Sequence, residues 1–168
     1  MKYCNPSKTP FLSGVKLEET GSSPMVNNTL YRNLIGCLLY LTQNLPELCY
    51  EVSVASRYMD QHYEIHWREA KRILNFVQGI RTHGIFYKAK YDFELVGFTD
   101  SDWEGVNIDQ RSTSGYVFML AEGPISWSCK NQSAIALSSI EVEYKGVLNA
   151  ATQCLWLQGI LGECGFEP

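Results

Sequence analysis

The chain has 168 residues, 45% of them hydrophobic and 19% charged, which allows one domain, or one domain and part of another, and excludes a disordered polymer. Its formal net charge is −4 with a pI near 5.4, so the basic excess usual in nucleic-acid binders is absent and phosphate contacts must come from local clusters or from sequence outside this chain. The cysteines include no C-x-x-C pair, no secretory leader opens the sequence, and the longest apolar run, 34–41, is too short to span a membrane, so the expected setting is reduced and intracellular, cytoplasm or nucleus.

Residues 1–28 read as an irregular lead-in, a polar run punctuated by Pro6, Pro10, Gly14, Gly21 and Pro24. Thr29 is the expected cap of a first helix starting at Leu30. Leu30, Leu34, Cys37, Leu38 and Leu41 recur at three and four and give it one apolar face. Pro46 breaks this pattern. A second helix is predicted over about 47–59, and a third over about 65–78 with Trp67, Ala70, Leu74 and Val77 on its stripe. Gly79 and Gly84 close the third, so residues 29–83 read as a helical module. His62 and His66 have a spacing that can bind metal, but no Cys or further His joins them, and solvent or capping roles are expected. The pattern then changes. Strands are predicted over 84–88, 93–98, 115–121 and 124–129, with 134–137 continuing the last or forming a fifth. Glu122-Gly123 is the predicted turn between the third and fourth. After Ser139 the period returns to 3.6, and a helix runs to about Leu161.

The chemistry sits where strand gives way to helix. The run Val96-Gly97-Phe98-Thr99-Asp100-Ser101-Asp102-Trp103 ends in two carboxylates, and Glu141 and Glu143 stand at the start of the last helix. A strand that delivers an Asp, facing a helix that delivers a Glu, builds a divalent-metal site of hard oxygen ligands, suited to clamping a phosphodiester. Ser138 followed by Glu141 is a capping box, which gives Glu141 a structural job. Glu143 heads the series Val147, Ala150, Cys154, Leu157 and Leu161. It therefore lies at the edge of the stripe that must face the sheet, where a carboxylate is costly without a cation or donor. The plain alternative is an edge acid turned to solvent. Asp100 and Asp102 share a strand parity, yet a lone D-x-D is equally an ordinary strand-end turn. Arg111, Ser112 and Thr113 set a cation and hydroxyls beside a strand start, a candidate phosphate contact weighed against a polar hairpin loop. Trp67 and Trp156 are expected core anchors. Trp103 and Trp127 flank the candidate site, where packing is favoured over base stacking.

These blocks together resemble a known family. Leu30-Tyr31-Arg32-Asn33-Leu34-Ile35-Gly36-Cys37-Leu38-Leu39-Tyr40-Leu41-Thr42 is similar to the segment after the polymerase palm in copia-type LTR retrotransposon Pol polyproteins. His66-Trp67-Arg68-Glu69-Ala70-Lys71-Arg72-Ile73-Leu74 resembles the next block. Gly97-Phe98-Thr99-Asp100-Ser101-Asp102-Trp103-Glu104-Gly105 resembles the opening of the ribonuclease H region, and 111–118, 125–130 and 136–144 continue it in family order.

The resemblance implies that 29–90 is a helical remnant of the reverse transcriptase end and its connection, and that 91–168 is the N-terminal half of a ribonuclease H-like domain. The implied fold is α+β: a helical connection followed by an incomplete ribonuclease H-like mixed sheet, its first three strands antiparallel, with a packed helix. The implied activity is metal-dependent hydrolysis of the RNA strand of RNA–DNA hybrids during reverse transcription. Asp100 and Glu143 map to the family's catalytic metal ligands, Asp102 is the weaker candidate, and Mg²⁺ or Mn²⁺ is the implied cofactor. The implied partners are an RNA–DNA hybrid, recognised by groove shape and 2′-hydroxyl, and the rest of the Pol polyprotein.

Three departures matter. The polymerase motif Y-x-D-D is absent, so no polymerase active site is expected. Gln43-Asn44-Leu45-Pro46-Glu47 stands where the family usually shows T-R-P-D. The family's third and fourth acidic ligands would fall beyond Pro168. The chain alone is therefore expected to be inactive or nearly so, with an unpaired sheet edge open to self-association. A non-catalytic remnant and a domesticated interaction module stay open as alternatives.

Overall fold

The computed structural model describes residues 4–12, 17, 26–89, 94–103 and 111–166, and the structural statements concern these. The chain divides into two compact units, Met1–Gly84 and Ile85–Pro168.

The first unit contains α1 (Asn28–Leu41), a 3₁₀ turn (Pro46–Leu48), α2 (Cys49–Ser56) and α3 (Glu64–Gly79). Asn27, not Thr29, caps α1: its Oδ1 accepts the Leu30 N–H at 3.2 Å, and Asn is the stronger capping residue. The buried face of α1 is Tyr31, Ile35 and Leu38, whereas Leu30 and Cys37 are exposed, so the predicted face is turned by about one residue. Tyr31 causes the turn. Its ring is fully buried and its hydroxyl donates to the Ala55 carbonyl at 2.8 Å, which fixes α1 against α2 through a residue that an aliphatic pattern passes over. Pro46 opens the 3₁₀ turn, and α2 stops at Ser56, short of the predicted 47–59.

The stripe on α3 is also turned. His66, Glu69, Ala70 and Ile73 are buried, while Trp67 is half-buried beneath Lys71 and is no core anchor. His66 caps α3 as expected, but neither histidine faces solvent. His62 stacks on Tyr31 and His66 on Tyr58, both inside the core.

The second unit is a three-stranded antiparallel sheet with one helix: β1 (Leu95–Asp102), β2 (Thr113–Leu120), β3 (Gly123–Asn131) and α4 (Ser139–Glu163), in the order β1-β2-β3. This is the expected α+β class with an open sheet. Residues 84–88 form no strand. Instead Tyr87 donates from its hydroxyl to the Pro124 carbonyl at 2.8 Å, and Lys88 pairs with Glu122. Residues 134–137 are irregular.

The β2–β3 turn is Ala121-Glu122, at φ 48° and 68°, because the register pairs Leu120 with Gly123. Gly123 belongs to the strand for a different reason: a Cβ there would meet Tyr87 Cδ1 at 2.5 Å. A two-residue turn with both φ positive favours Asn or Gly, and Ala is strained there. Ala121→Asn is therefore expected to stabilise the second unit by up to about 1 kcal/mol. A lowered midpoint in chemical denaturation would contradict this reading of the turn.

Val142, Gly146, Ala150 and Leu157 of α4 face the sheet, and Phe118 packs with Ala150 and Leu157 among Leu95, Tyr116, Ile125 and Cys154. The predicted stripe holds for Ala150, Cys154 and Leu157 and fails for Val147, which is exposed along with Glu143. The helix carries a second apolar face, Ile140, Tyr144, Leu148 and Leu155, so periodicity alone does not choose which side packs. Trp156 is 58% exposed and is not a core anchor. Among the described residues, no helix is long and apolar enough to cross a membrane.

Candidate metal and nucleic-acid site

Asp100 and Asp102 lie at the C-terminal end of β1, and both are exposed. Asp100 pairs with Gly115 across the ladder, and its Oδ1 accepts the Ser101 N–H at 3.0 Å. Leu95 packs into the core beneath α4 and Ser101 meets α4. Strand alternation therefore turns Asp100 and Asp102 to the opposite face. Among the described residues β1 pairs on one side only, leaving an open edge.

The N-terminal half of α4 is tied to this end of the sheet. A Cβ on Gly146 would lie 2.2 Å from Ser101 Oγ, so a side chain there would displace that hydroxyl. Ser101 Oγ bonds Ser114 Oγ at 2.9 Å. The buried Gln132 amide donates to Ser114 Oγ at 2.6 Å and to the Val142 carbonyl at 2.9 Å, while its backbone N–H donates to Ser112 O at 2.8 Å. One polar network thus joins β1, β2 and the residue that follows β3 to the first turns of α4.

The two glutamates differ. Ser138 Oγ accepts the Glu141 N–H at 3.2 Å, as a cap should. The return bond falls one residue earlier than a capping box: Glu141 Oε2 accepts from the Leu137 N–H at 2.8 Å, and Oε1 pairs with Lys145 at 2.6 Å. The hydrogen bond from Lys145, then that from Leu137, holds the Glu141 carboxyl below its usual range. Its contribution to the α4 cap is thus present above the unfolded value of 4.5 and lost as pH falls through the lower folded value. Acid titration should therefore fray the start of α4 in the native chain, and Glu141→Gln should remove that dependence. Exchange of the Glu141 amide would show it, and equal acid fraying in both proteins would count against the assignment.

Glu143 is exposed and makes no hydrogen bond or ion pair among the described residues. It lies about 60° round the helix from Gly146, beside the packed face, whereas Glu141 lies about 140° away.

Asp100 is presented by the face of β1 turned away from α4, and Glu143 by the flank of α4. Their accessible hard oxygens fit the chemistry of Mg²⁺ or Mn²⁺. They make only part of a ligand set, and among the described residues no group of three or more His, Cys, Asp or Glu is placed to hold a metal ion.

Of the candidate phosphate contacts, Arg111 is exposed. Ser112 is fully buried, with its hydroxyl donating to the Trp103 carbonyl at 3.3 Å, and Thr113 is buried at the start of β2. The burial of both favours the polar-loop alternative over a phosphate contact. Trp127 is half-buried, in keeping with packing, whereas Trp103 is exposed, its indole donating to the Ala136 carbonyl at 3.4 Å.

A polar cleft of about 400 Å³ between α4 and the β2–β3 side of the sheet escapes the sequence reading; Ser128, Lys130, Gln132, Asn149 and Gln153 are among its walls. Its signal was the alternation Ser126, Ser128, Lys130, which gives β3 a polar side where a core side is expected.

No protein-family model and no solved structure matches the chain. It is 36% identical over 167 residues to the retrovirus-related Pol polyprotein from transposon RE2 of Arabidopsis thaliana, a match covering 99% of this chain and 12% of that polyprotein. The polyprotein from transposon RE1 of the same plant is 36% identical over 167 residues, covering 99% of this chain and 11% of its own length. Secreted RxLR effector protein 161 of Plasmopara viticola is 36% identical over 133 residues, covering 79% of this chain and 94% of its own length. The chain spans about an eighth of the length of the two polyproteins. By these matches the chain belongs to the retrovirus-related Pol polyproteins of copia-type transposons.

Proposed function

We propose that residues 85–168 form the opening half of a ribonuclease H-like unit, and that residues 1–84 form the helical end of the reverse transcriptase region and its connection. In this reading the whole polyprotein hydrolyses the RNA strand of RNA–DNA hybrids with Mg²⁺ or Mn²⁺. The observation that carries it is the uncommitted Glu143, on the first turns of a helix that Gly146 seats against the end of the strand bearing Asp100. A bound divalent ion supplies Lewis-acid charge to the phosphodiester. Asp100 and Glu143, which lie on different sides of the sheet end, would each supply one ligand to it, with Asp102 as the weaker ligand. Glu141 is excluded because Leu137 and Lys145 occupy its carboxylate. Arg111 remains a phosphate contact; Ser112 and Thr113 do not. The remaining acidic ligands come from the rest of the polyprotein, which is a partner in the same sense as the hybrid.

A second reading, an interaction module without catalysis, is favoured by one observation. The match covers 94% of a secreted effector protein, so a unit of this extent occurs apart from a Pol polyprotein.

Hybrid cleavage separates the two. The isolated chain is expected to cut a labelled RNA–DNA hybrid weakly or not at all in Mg²⁺ or Mn²⁺, and a longer Pol segment containing it should cut readily. An inactive longer segment sinks the enzymatic reading. Robust cutting by the isolated chain, abolished by Asp100→Asn, sinks the division of ligands.

A further inference from the structure

The core of the first unit buries two imidazoles, His62 at 1% and His66 at 2% exposure. His62 stacks on Tyr31 with ring centroids 4.2 Å apart, and His66 stacks on Tyr58 at 3.8 Å. Among the described residues neither ring nitrogen of His62 has a hydrogen-bond partner. His66 uses both of its nitrogens. Nδ1 accepts the Tyr63 backbone N–H at 2.9 Å, closing the first turn of α3, and Nε2 lies 2.8 Å from the Leu17 carbonyl oxygen.

An amide N–H only donates and a carbonyl oxygen only accepts. These partners therefore select the neutral ring with its proton on Nε2. A second proton can go only to Nδ1, where it would point at the Tyr63 N–H. Protonation thus removes the acceptor that caps α3, leaves an orphan N–H at the helix start, and places a charge where water is excluded. We propose that His66 is a pH-operated latch, which in its neutral form ties Leu17 to the first turn of α3 and on protonation releases both.

The surrounding groups support this direction. His62, Tyr58 and Tyr63 lie about the ring, with Tyr31 beyond His62. Glu69, buried one turn along α3, commits its carboxylate to the Leu12 N–H at 3.4 Å. On α2, burial raises Glu51 toward its neutral form. Burial pushes His66 below the ordinary imidazole value. The bond to Leu17 opposes this shift, and His62 adds to it. A base with a lowered folded value contributes stability that is complete above its unfolded value of 6.5 and falls as pH drops through the folded value.

The test is NMR on the full chain. At pH 7.5 the His66 ring nitrogens should report the Nε2-protonated tautomer. Exchange of the Tyr63 amide, corrected for intrinsic rate, should rise up to about eightfold between pH 7 and pH 5.5, as the latch opens with protonation. His66→Gln offers an acceptor to Tyr63 and a donor to Leu17 without titrating, and should abolish the rise. His62→Phe keeps the stack on Tyr31 and should leave the rise in place. A proton on Nδ1 at pH 7.5, a rise that persists in His66→Gln, or one that vanishes in His62→Phe overturns the latch. If His66→Gln does not fold, the tautomer and the titration of His66 in the native chain decide the matter alone.

Discussion

Asp100→Asn and Glu143→Gln, each placed in a Pol segment that contains this chain, are expected to lower Mg²⁺-dependent hybrid cleavage by about 100-fold or more. A divalent ion contributes several kcal/mol of charge stabilisation to such a reaction, and each factor of ten needs only about 1.4 kcal/mol. Asp102→Asn should cost less, about tenfold, because it is the weaker ligand. Glu141→Gln is the informative control. Its carboxylate already serves Leu137 and Lys145, so its loss touches the helix cap and should change cleavage by less than about threefold. Single-turnover cleavage at saturating Mg²⁺, with Mn²⁺ affinity measured alongside, gives both readouts. If Glu141→Gln proved damaging and Glu143→Gln silent, the roles of the two acids would be reversed.

The distinction between these acids shows what pattern reading can reach. Ser138 and Glu141 sit at a spacing with a known local consequence, and the cap formed; only the return bond moved, to Leu137. Local rules of this kind need no tertiary information. Helix faces do need it. The buried faces of α1 and α3 depart from the aliphatic pattern because Tyr31 and His66 count as polar in it, yet they fill the core by stacking and by hydrogen bonds to backbone. On α4 both sides are apolar, and the chosen side follows from Gly146, whose missing Cβ lets the helix approach β1. The β2–β3 hairpin failed for the reverse reason. Gly123 looks like a turn residue, but the register sets the turn at Ala121-Glu122, and the glycine instead leaves room for Tyr87. The acidic residues were legible as chemistry. Their relative placement was not, because strand parity near Ser101 is decided by contacts with α4.

Gly146→Leu is expected to destabilise the second unit by about 3 kcal/mol. Overpacking a fitted contact costs about 1–3 kcal/mol, and here the first atom met is Ser101 Oγ, 2.2 Å from the new Cβ. Displacing Ser101 breaks its bond to Ser114. That disturbs the Gln132 amide, a buried group whose loss of partners costs about 1–3 kcal/mol more. The better helix propensity of Leu returns less than about 1 kcal/mol. For a unit of this size the net loss corresponds to a fall in melting temperature of more than about 10 °C. Gly159→Ala supplies the contrast on the same helix. A Cβ there meets nothing within 4 Å, so the propensity gain stands alone and stability should rise by up to about 1 kcal/mol. Denaturant melts followed by fluorescence or circular dichroism would separate the two variants by sign. If both glycines respond alike, Gly146 does not seat α4 against β1, and the structural support for pairing Glu143 with Asp100 falls with it.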